Sequence, residues 1–222
     1  MKRQSACILL LLFLLGAALP KASAMDSYAG YADLKRGAWY EQGVRFCIKR
    51  GLMCGSRNYG MHFYPDDPVT RSQLAAILWR LDGQPVIGLV TQFQDVPEGA
   101  WYEDAVRWAL AEDIMGGETP AEFSPEMPIT RERLVQALRQ YAFHRNGSAP
   151  ILEDAEYETY SDYDKTSADC DEAMRWAFGL GLIQGVRTKA GVGYLTPWAI
   201  STRAGTATIL MRFCLDFGVY DS

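Results

Sequence analysis

Phe93-Gln94-Asp95-Val96, Trp101-Tyr102, Ala105-Val106-Arg107-Trp108-Ala109, Gly116-Gly117, Phe123-Ser124-Pro125 and Ile129-Thr130-Arg131 follow one another in the middle of this 222-residue chain. The series occurs twice more. Upstream it reads Tyr31-Ala32-Asp33-Leu34, Trp39-Tyr40, Val44-Arg45-Phe46, Gly51 and Gly55, Phe63-Tyr64-Pro65, Val69-Thr70-Arg71. Downstream it reads Tyr160-Ser161-Asp162-Tyr163, Ala173-Met174-Arg175-Trp176-Ala177, Gly181 and Gly185, Leu195-Thr196-Pro197, Ser201-Thr202-Arg203. In each copy the arginine stands six residues after the proline. Repetition on this scale outranks local propensity, because one supersecondary unit used three times must bury its apolar face against its own copies. Three like units make three like surfaces, which suits a binding module better than an enzyme with one active site.

Each copy reads as helix, loop, helix. In the middle copy Trp101, Ala105, Trp108 and Ala109 recur at helical spacing, and Gly116-Gly117 are expected to end that helix in a left-handed cap. The second helix is expected from Thr130, with Leu134, Val135, Leu138 and Tyr141 on one face. Leu74, Ile77, Leu78 and Leu81 repeat that face in the first copy, and Ala207, Ile209, Leu210 and Phe213 in the third. Threonine is a good N-cap, and Thr70-Arg71-Ser72-Gln73 has the spacing of a capping box. The arginine beside it has no such local reason. A cation in the first turn opposes the helix dipole, so its recurrence points to an anionic partner outside the helix. The expected fold is all-α: a pseudo-threefold spindle of three helix-loop-helix repeats with clefts between neighbours.

Before the first copy lies a segment of a different kind. Lys2 and Arg3 precede an apolar run from Ile8 to Leu15, and Ala22-Ser23-Ala24 offers small residues for cleavage. Residues 1–24 therefore read as a secretory signal peptide, too short in its apolar part to span a bilayer. Its removal takes away Lys2, Arg3 and Lys21, so the formal charge falls from −5 to −8. Such acidity argues against nucleic acid, and against an anionic membrane once the signal is cleaved. Cys47, Cys54, Cys170 and Cys214 do not occupy matching places in the copies, and Cys47 aligns with the interior Ala109 and Ala177. They read as buried small hydrophobes, although a disulfide is chemically open to an exported protein. No CxxC spacing suggests a metal, no cofactor is implied, and His62 and His144 sit in no catalytic pattern.

The ordered elements F-x-D-V, W-Y, A-x-x-W-A, G-G, F-x-P and I-T-R resemble the S-layer homology repeat, over nearly all of the chain after the signal. On that resemblance the repeats span residues 28–86, 90–146 and 157–219. It implies a three-pronged helical spindle that is secreted and holds itself on the bacterial cell surface. The implied partner is a secondary cell-wall polysaccharide, anionic or pyruvylated, bound without catalysis in clefts between repeats. Arg71, Arg131 and Arg203 are then the residues for the acidic group, with Asp33, Asp95, Asp162, Trp39 and Trp101 beside them. These residue types suit such a ligand, since guanidinium forks a carboxylate, tryptophan covers a sugar face, and carboxylate accepts from hydroxyls.

The copies also depart from that pattern. The place usually held by glutamate carries Gln73, Arg133 and Gly205, and Asp169 stands where a third tryptophan is expected. Because Arg71 and Arg131 lie in the repeats that keep Trp39 and Trp101, they are expected to dominate, with Arg203 secondary, although a cleft shared between neighbours can take an arginine and a tryptophan from different repeats. Two bland alternatives remain at this level. Each arginine could pair with a neighbouring carboxylate, and each aspartate could bond its own turn. A module on the same fold that has exchanged sugar for another surface protein is the competing function.

Overall fold

The computed structural model describes residues 27–55, 61–89, 93–151 and 156–218. The expected signal peptide lies outside them. Six α-helices carry this part of the chain: α1 Glu41–Lys49, α2 Arg71–Leu81, α3 Glu103–Ala111, α4 Arg131–Asn146, α5 Asp171–Gly179 and α6 Arg203–Asp216. One two-stranded antiparallel hairpin, β1 Val186–Arg187 and β2 Gly193–Tyr194, occupies the long third loop. The fold is mainly helical, as the repeat pattern predicts.

The three second helices start at equivalent points for the same reason. Thr70, Thr130 and Thr202 are extended N-caps whose hydroxyls accept from the amides of Gln73, Arg133 and Gly205. Only the first has the reciprocal bond of a full capping box. Just before these caps the chain closes a ring. Val69 N donates to Ser201 O, Ser201 N to Ile129 O and Ile129 N to Val69 O, each at 2.9 Å. Two further amides of each helix follow the ring round: Arg71 and Ser72 donate to Met127 and Pro125, Arg131 and Glu132 to Ala199 and Pro197, Arg203 and Ala204 to Asp67 and Pro65. Amides that a helix N-terminus leaves without partners are thus satisfied by the preceding loop of another unit.

Helices pack between units, not within them. α2 lies against α3, α4 against α5, and α6 returns to α1. Each repeat keeps its two helices, as expected, and a prong consists of the second helix of one unit and the first of the next. The last helix therefore completes the first unit. Gly43 marks this closure. A side chain there would meet the Thr208 backbone at 2.7 Å, so α1 and α6 approach closely because the place held by Ala105 and Ala173 elsewhere is glycine. Trp108 and Trp176 are fully buried, and Phe46 is buried at the equivalent place. Tyr141 and Phe213, both in the tenth step after their helix-opening arginine, meet at 5.9 Å between ring centroids.

The glycines act differently from what their spacing suggests. α3 ends at Ala111, and the left-handed residue after it is Asp113, matching Gly51 and Gly181 in the other units. Gly117 is required by packing: a Cβ there would sit 2.4 Å from Thr119 O and 2.5 Å from the Phe93 ring. Gly55 and Gly185 meet Tyr31 and Tyr160 in the same way. The aromatic residue that opens each repeat thus lies on the glycine that follows the first helix. α4 runs on to Asn146 and ends at Gly147 in a left-handed cap.

The four described cysteines after the signal are unpaired; Cys47, Cys170 and Cys214 are buried and Cys54 is exposed. Burial pushes the Cys170 and Cys214 thiols up to about 12 and raises Cys47 as well.

Two outcomes follow from this packing. Gly117→Ala should cost about 1–3 kcal/mol through overpacking, whereas Gly116→Ala, whose Cβ would meet nothing within 4 Å, should melt like the parent. Equal melting temperatures for the two variants would refute the packing role. In the folded protein a thiol reagent should modify Cys54 rapidly, with the other three reacting only on unfolding, as counted by mass spectrometry.

Candidate functional site

Asp33, Asp95 and Asp162 act inside the fold. Each carboxylate receives two backbone amides from the far end of its own repeat loop: Phe63 and Tyr64, Phe123 and Ser124, Leu195 and Thr196, at 2.6–2.9 Å. The second residue of each pair, Tyr64, Ser124 or Thr196, has a positive φ of 54–59° although none is glycine. A left-handed non-glycine residue costs of order 1 kcal/mol or more, and the two charge-assisted bonds offset it. The aspartates thereby shape the loop that the arginines reach, and they bond across about thirty residues rather than within a turn.

The arginines cross from one unit to the next. Arg71 donates from Nε to Phe123 O at 2.8 Å and from Nη2 to Gly116 O at 2.6 Å, with its guanidinium 4.8 Å from the Phe123 ring centroid. Arg203 repeats this on Phe63 O and Cys54 O at 2.7 and 2.6 Å, 4.6 Å from the Phe63 ring. These residues therefore do have a local structural role, which repeat-level reading denied them. They lock a helix start to the following unit through its free carbonyls.

Beyond that shared lock the three differ. Arg71 is only 5% exposed, and its Nη1 lies 2.6 Å from Glu118 Oε1. Burial lowers its pKa, and Glu118 counters that shift. Among the described residues the Arg131 side chain makes one hydrogen bond, Nη2 to Gln184 O at 2.9 Å. Its Nε is buried and finds no hydrogen-bond partner among the described residues. The equivalent carbonyl, Leu195 O, accepts the Thr196 hydroxyl instead, and leucine replaces the phenylalanine ring. Burial lowers the pKa of Arg131, and the neighbouring charge that adds to the shift is another cation, Arg212.

A cavity of about 360 Å³ shows how the parts assemble. It is lined by Arg71 from the first unit, the 113–118 loop and the α4 residues Arg133, Gln136 and Gln140 from the second, and Asp169 from the third. A cleft thus draws on all three units. Carried round the pseudo-threefold axis, the same relation would bring Trp39 to the cleft of Arg131 and Trp101 to that of Arg203. Trp39 and Trp101 lie outside the helices and are 70% and 60% exposed, while the adjoining Tyr40 and Tyr102 are buried and hold them edge-on at 5.4 and 5.2 Å.

Several residues here escaped the sequence reading. Arg212 stands nine residues after Arg203, as Arg80 does after Arg71, so the repeat itself carried that signal. Glu118 has none, since it lies in a loop whose sequence varies between copies. Asp169 pairs with Arg133 at 2.5 Å and is held by Gln136 through its carbonyl at 3.0 Å. That pair was legible as a joint change at two motif places. Trp198 is 60% exposed between Pro197 and Ala199, whose carbonyls hold the first turn of α4; Asp66 and Glu126 occupy its place in the other units. The resemblance gave no reason to expect it. His144 bridges Asp82 and Glu112 at 3.3 and 3.2 Å and joins the ends of α2, α3 and α4. Among the described residues no cluster of His, Cys, Asp and Glu could hold a metal, and no helix is long and apolar enough to cross a membrane.

Parts of the chain are similar to known proteins. Residues 30–75 and 92–132 match the S-layer homology domain. The chain is 26% identical over 233 residues to an endoglucanase of Bacillus sp. (strain KSM-635), covering 99% of the chain and 23% of that enzyme. It is 27% identical over 195 residues to the surface-layer 125 kDa protein of Lysinibacillus sphaericus, covering 86% of the chain and 16% of that protein. Among solved structures, an undecaheme cytochrome from the S-layer of Carboxydothermus ferrireducens aligns over 68% of this chain and 21% of its own, at 17% identity and a TM-score of 0.36. The chain spans less than a quarter of the curated relatives it matches.

The contacts of Arg71 and Arg131 predict unequal stability losses. Arg71→Ala removes two bonds to carbonyls and an ion pair, at about 3 kcal/mol or more. In a protein of this size that lowers the melting temperature by roughly 6–12 °C. Arg131→Ala removes one bond and should cost about half as much or less. Thermal unfolding followed by circular dichroism measures both, and a larger loss for Arg131→Ala would contradict these assignments.

Proposed function

We propose that the chain is a non-catalytic cell-surface module that holds an anionic, pyruvate-bearing cell-wall polysaccharide in clefts between its units. The observation that carries this reading is the state of Arg131. A desolvated guanidinium with a buried, unpartnered Nε and a second cation beside it is short of an anion. A carboxylate on a saccharide supplies one, accepting the paired donors that the protein leaves over. The exposed face of Trp39 offers the apolar side of a sugar ring its platform in the same cleft.

The matches at residues 30–75 and 92–132, and relatives whose names place one of them in a surface layer, support a location on the cell wall. The match to the endoglucanase is in keeping with a shared non-catalytic part, since this chain corresponds to 23% of that enzyme. We read residues 157–219 as a third repeat of the same kind on the strength of the closed backbone ring and the third Asp-to-loop clamp. Arg131 is the leading contact for the acidic group and Arg203 the second. Arg71 is mainly an internal lock, and Asp33, Asp95 and Asp162 hold the loops that frame the clefts.

The test is co-sedimentation of the chain from residue 25 onward with peptidoglycan that carries its wall polysaccharide, beside peptidoglycan stripped of it. Binding should need the polysaccharide. Losing one charge-assisted contact costs about 1.5–3 kcal/mol, so Arg131→Ala should weaken binding roughly ten- to a hundred-fold. Arg71→Ala, assayed well below its melting temperature, should weaken it by less than about threefold. Equal sedimentation with the two wall preparations would favour a protein partner on the cell surface instead.

A further inference from the structure

The cleft of Arg71 differs from its two counterparts at the places that would face a ligand, which bears on how many ligands one molecule holds if the anionic-saccharide reading is right. Two guanidinium groups line it, Arg71 and Arg133, against three carboxylates, Asp113, Glu118 and Asp169. Both cations are already paired. Glu118 lies 2.6 Å from Arg71, and Asp169 lies 2.5 Å from Arg133, whose Nη1 also donates to Gln136 Oε1 at 2.9 Å. The hydrogen bond from Arg133 holds the Asp169 carboxyl below its ordinary range, so it stays ionised in that contact.

At the matching places the other clefts carry no such charges. Val186 stands for Glu118 in the cleft of Arg131. Gly205 and Gln73 stand for Arg133, and Trp39 and Trp101 for Asp169. Substitution of arginine for the motif glutamate and of aspartate for tryptophan thus fell on two residues that touch. An incoming carboxylate must displace carboxylates tethered to the same molecule, whose effective concentration is of order mM or higher. It must do so against a lining of net negative charge, with Arg71 itself almost wholly covered.

We infer that this cleft is closed by its own ion pairs, that the chain binds its anionic saccharide through the clefts of Arg131 and Arg203 only, and that Glu118, Arg133 and Asp169 set this valence of two. The closed cleft serves as a brace between α4 and the third unit. Two open sites on one rigid body would still engage one polymer together, with the gain in avidity that a second tethered contact brings.

Equilibrium dialysis at saturating concentration of a soluble disaccharide bearing one pyruvate ketal tests this. The parent chain should take up two equivalents. The variant Glu118→Val with Arg133→Gln and Asp169→Trp, which copies the open clefts, should take up three. Trp39→Asp with Val186→Glu and Gly205→Arg, which copies the closed one, should take up one. Circular dichroism and melting keep the comparison among folded proteins. Three equivalents for the parent, or two for the opened variant while folded, would overturn the closure and leave the binding reading standing. No uptake by the parent or either variant would overturn the anionic-saccharide reading, and this inference with it.

Discussion

Three amide-to-carbonyl bonds, from Val69 to Ser201, Ser201 to Ile129 and Ile129 to Val69, close a ring that the rest of the structure is built on. The ring fixes where each second helix begins. It therefore fixes where each helix-opening arginine leaves the backbone, which is toward the loop of the following unit. Those loops are rigid enough to receive it because an aspartate clamps each at a left-handed residue. Since the ring has no free end, α6 must return to α1, and the three units share one core. No unit buries its helices alone.

A closed frame of this kind lets the three clefts diverge in chemistry without changing the backbone. Where Phe63 and Phe123 present a ring and an open carbonyl to an arginine, Leu195 presents neither, and Arg131 is left under-bonded. Where two tryptophans stand exposed, Asp169 ties α4 to the third unit. Internal satisfaction and availability to a ligand trade against each other at each arginine. The most completely satisfied one is Arg71, whose donors are taken by Phe123 O, Gly116 O and Glu118.

Much of the fold was legible in the sequence because the repeat fixes it three times over. Helix starts at Thr70, Thr130 and Thr202, the buried Trp108 and Trp176, and the mainly helical class all follow from spacing. What spacing could not give was which helix packs on which. A helix's apolar stripe is the same whether its partner lies in its own repeat or the next, so the exchange of helices between units left no mark. The Gly116-Gly117 pair misled for a related reason. Glycine is permitted both by a positive φ and by a close neighbour, and here the neighbour, Phe93, is the cause. At the site, the arginines, aspartates and tryptophans were visible as recurring residues. That they differ was also legible, but not that Arg131 stands apart from Arg71, because this depends on Glu118, Arg212 and the Thr196 hydroxyl.

The central claim is that Arg131, rather than Arg71, is the guanidinium left to hold an anion. NMR of the arginine side-chain Nε–H groups, recorded as the pyruvate-ketal disaccharide is added, addresses it most directly. The Arg131 resonance should shift on saturation and become protected from exchange, while that of Arg71, already bonded to Phe123 O, stays in place. A shift at Arg71 with Arg131 unmoved would contradict the account.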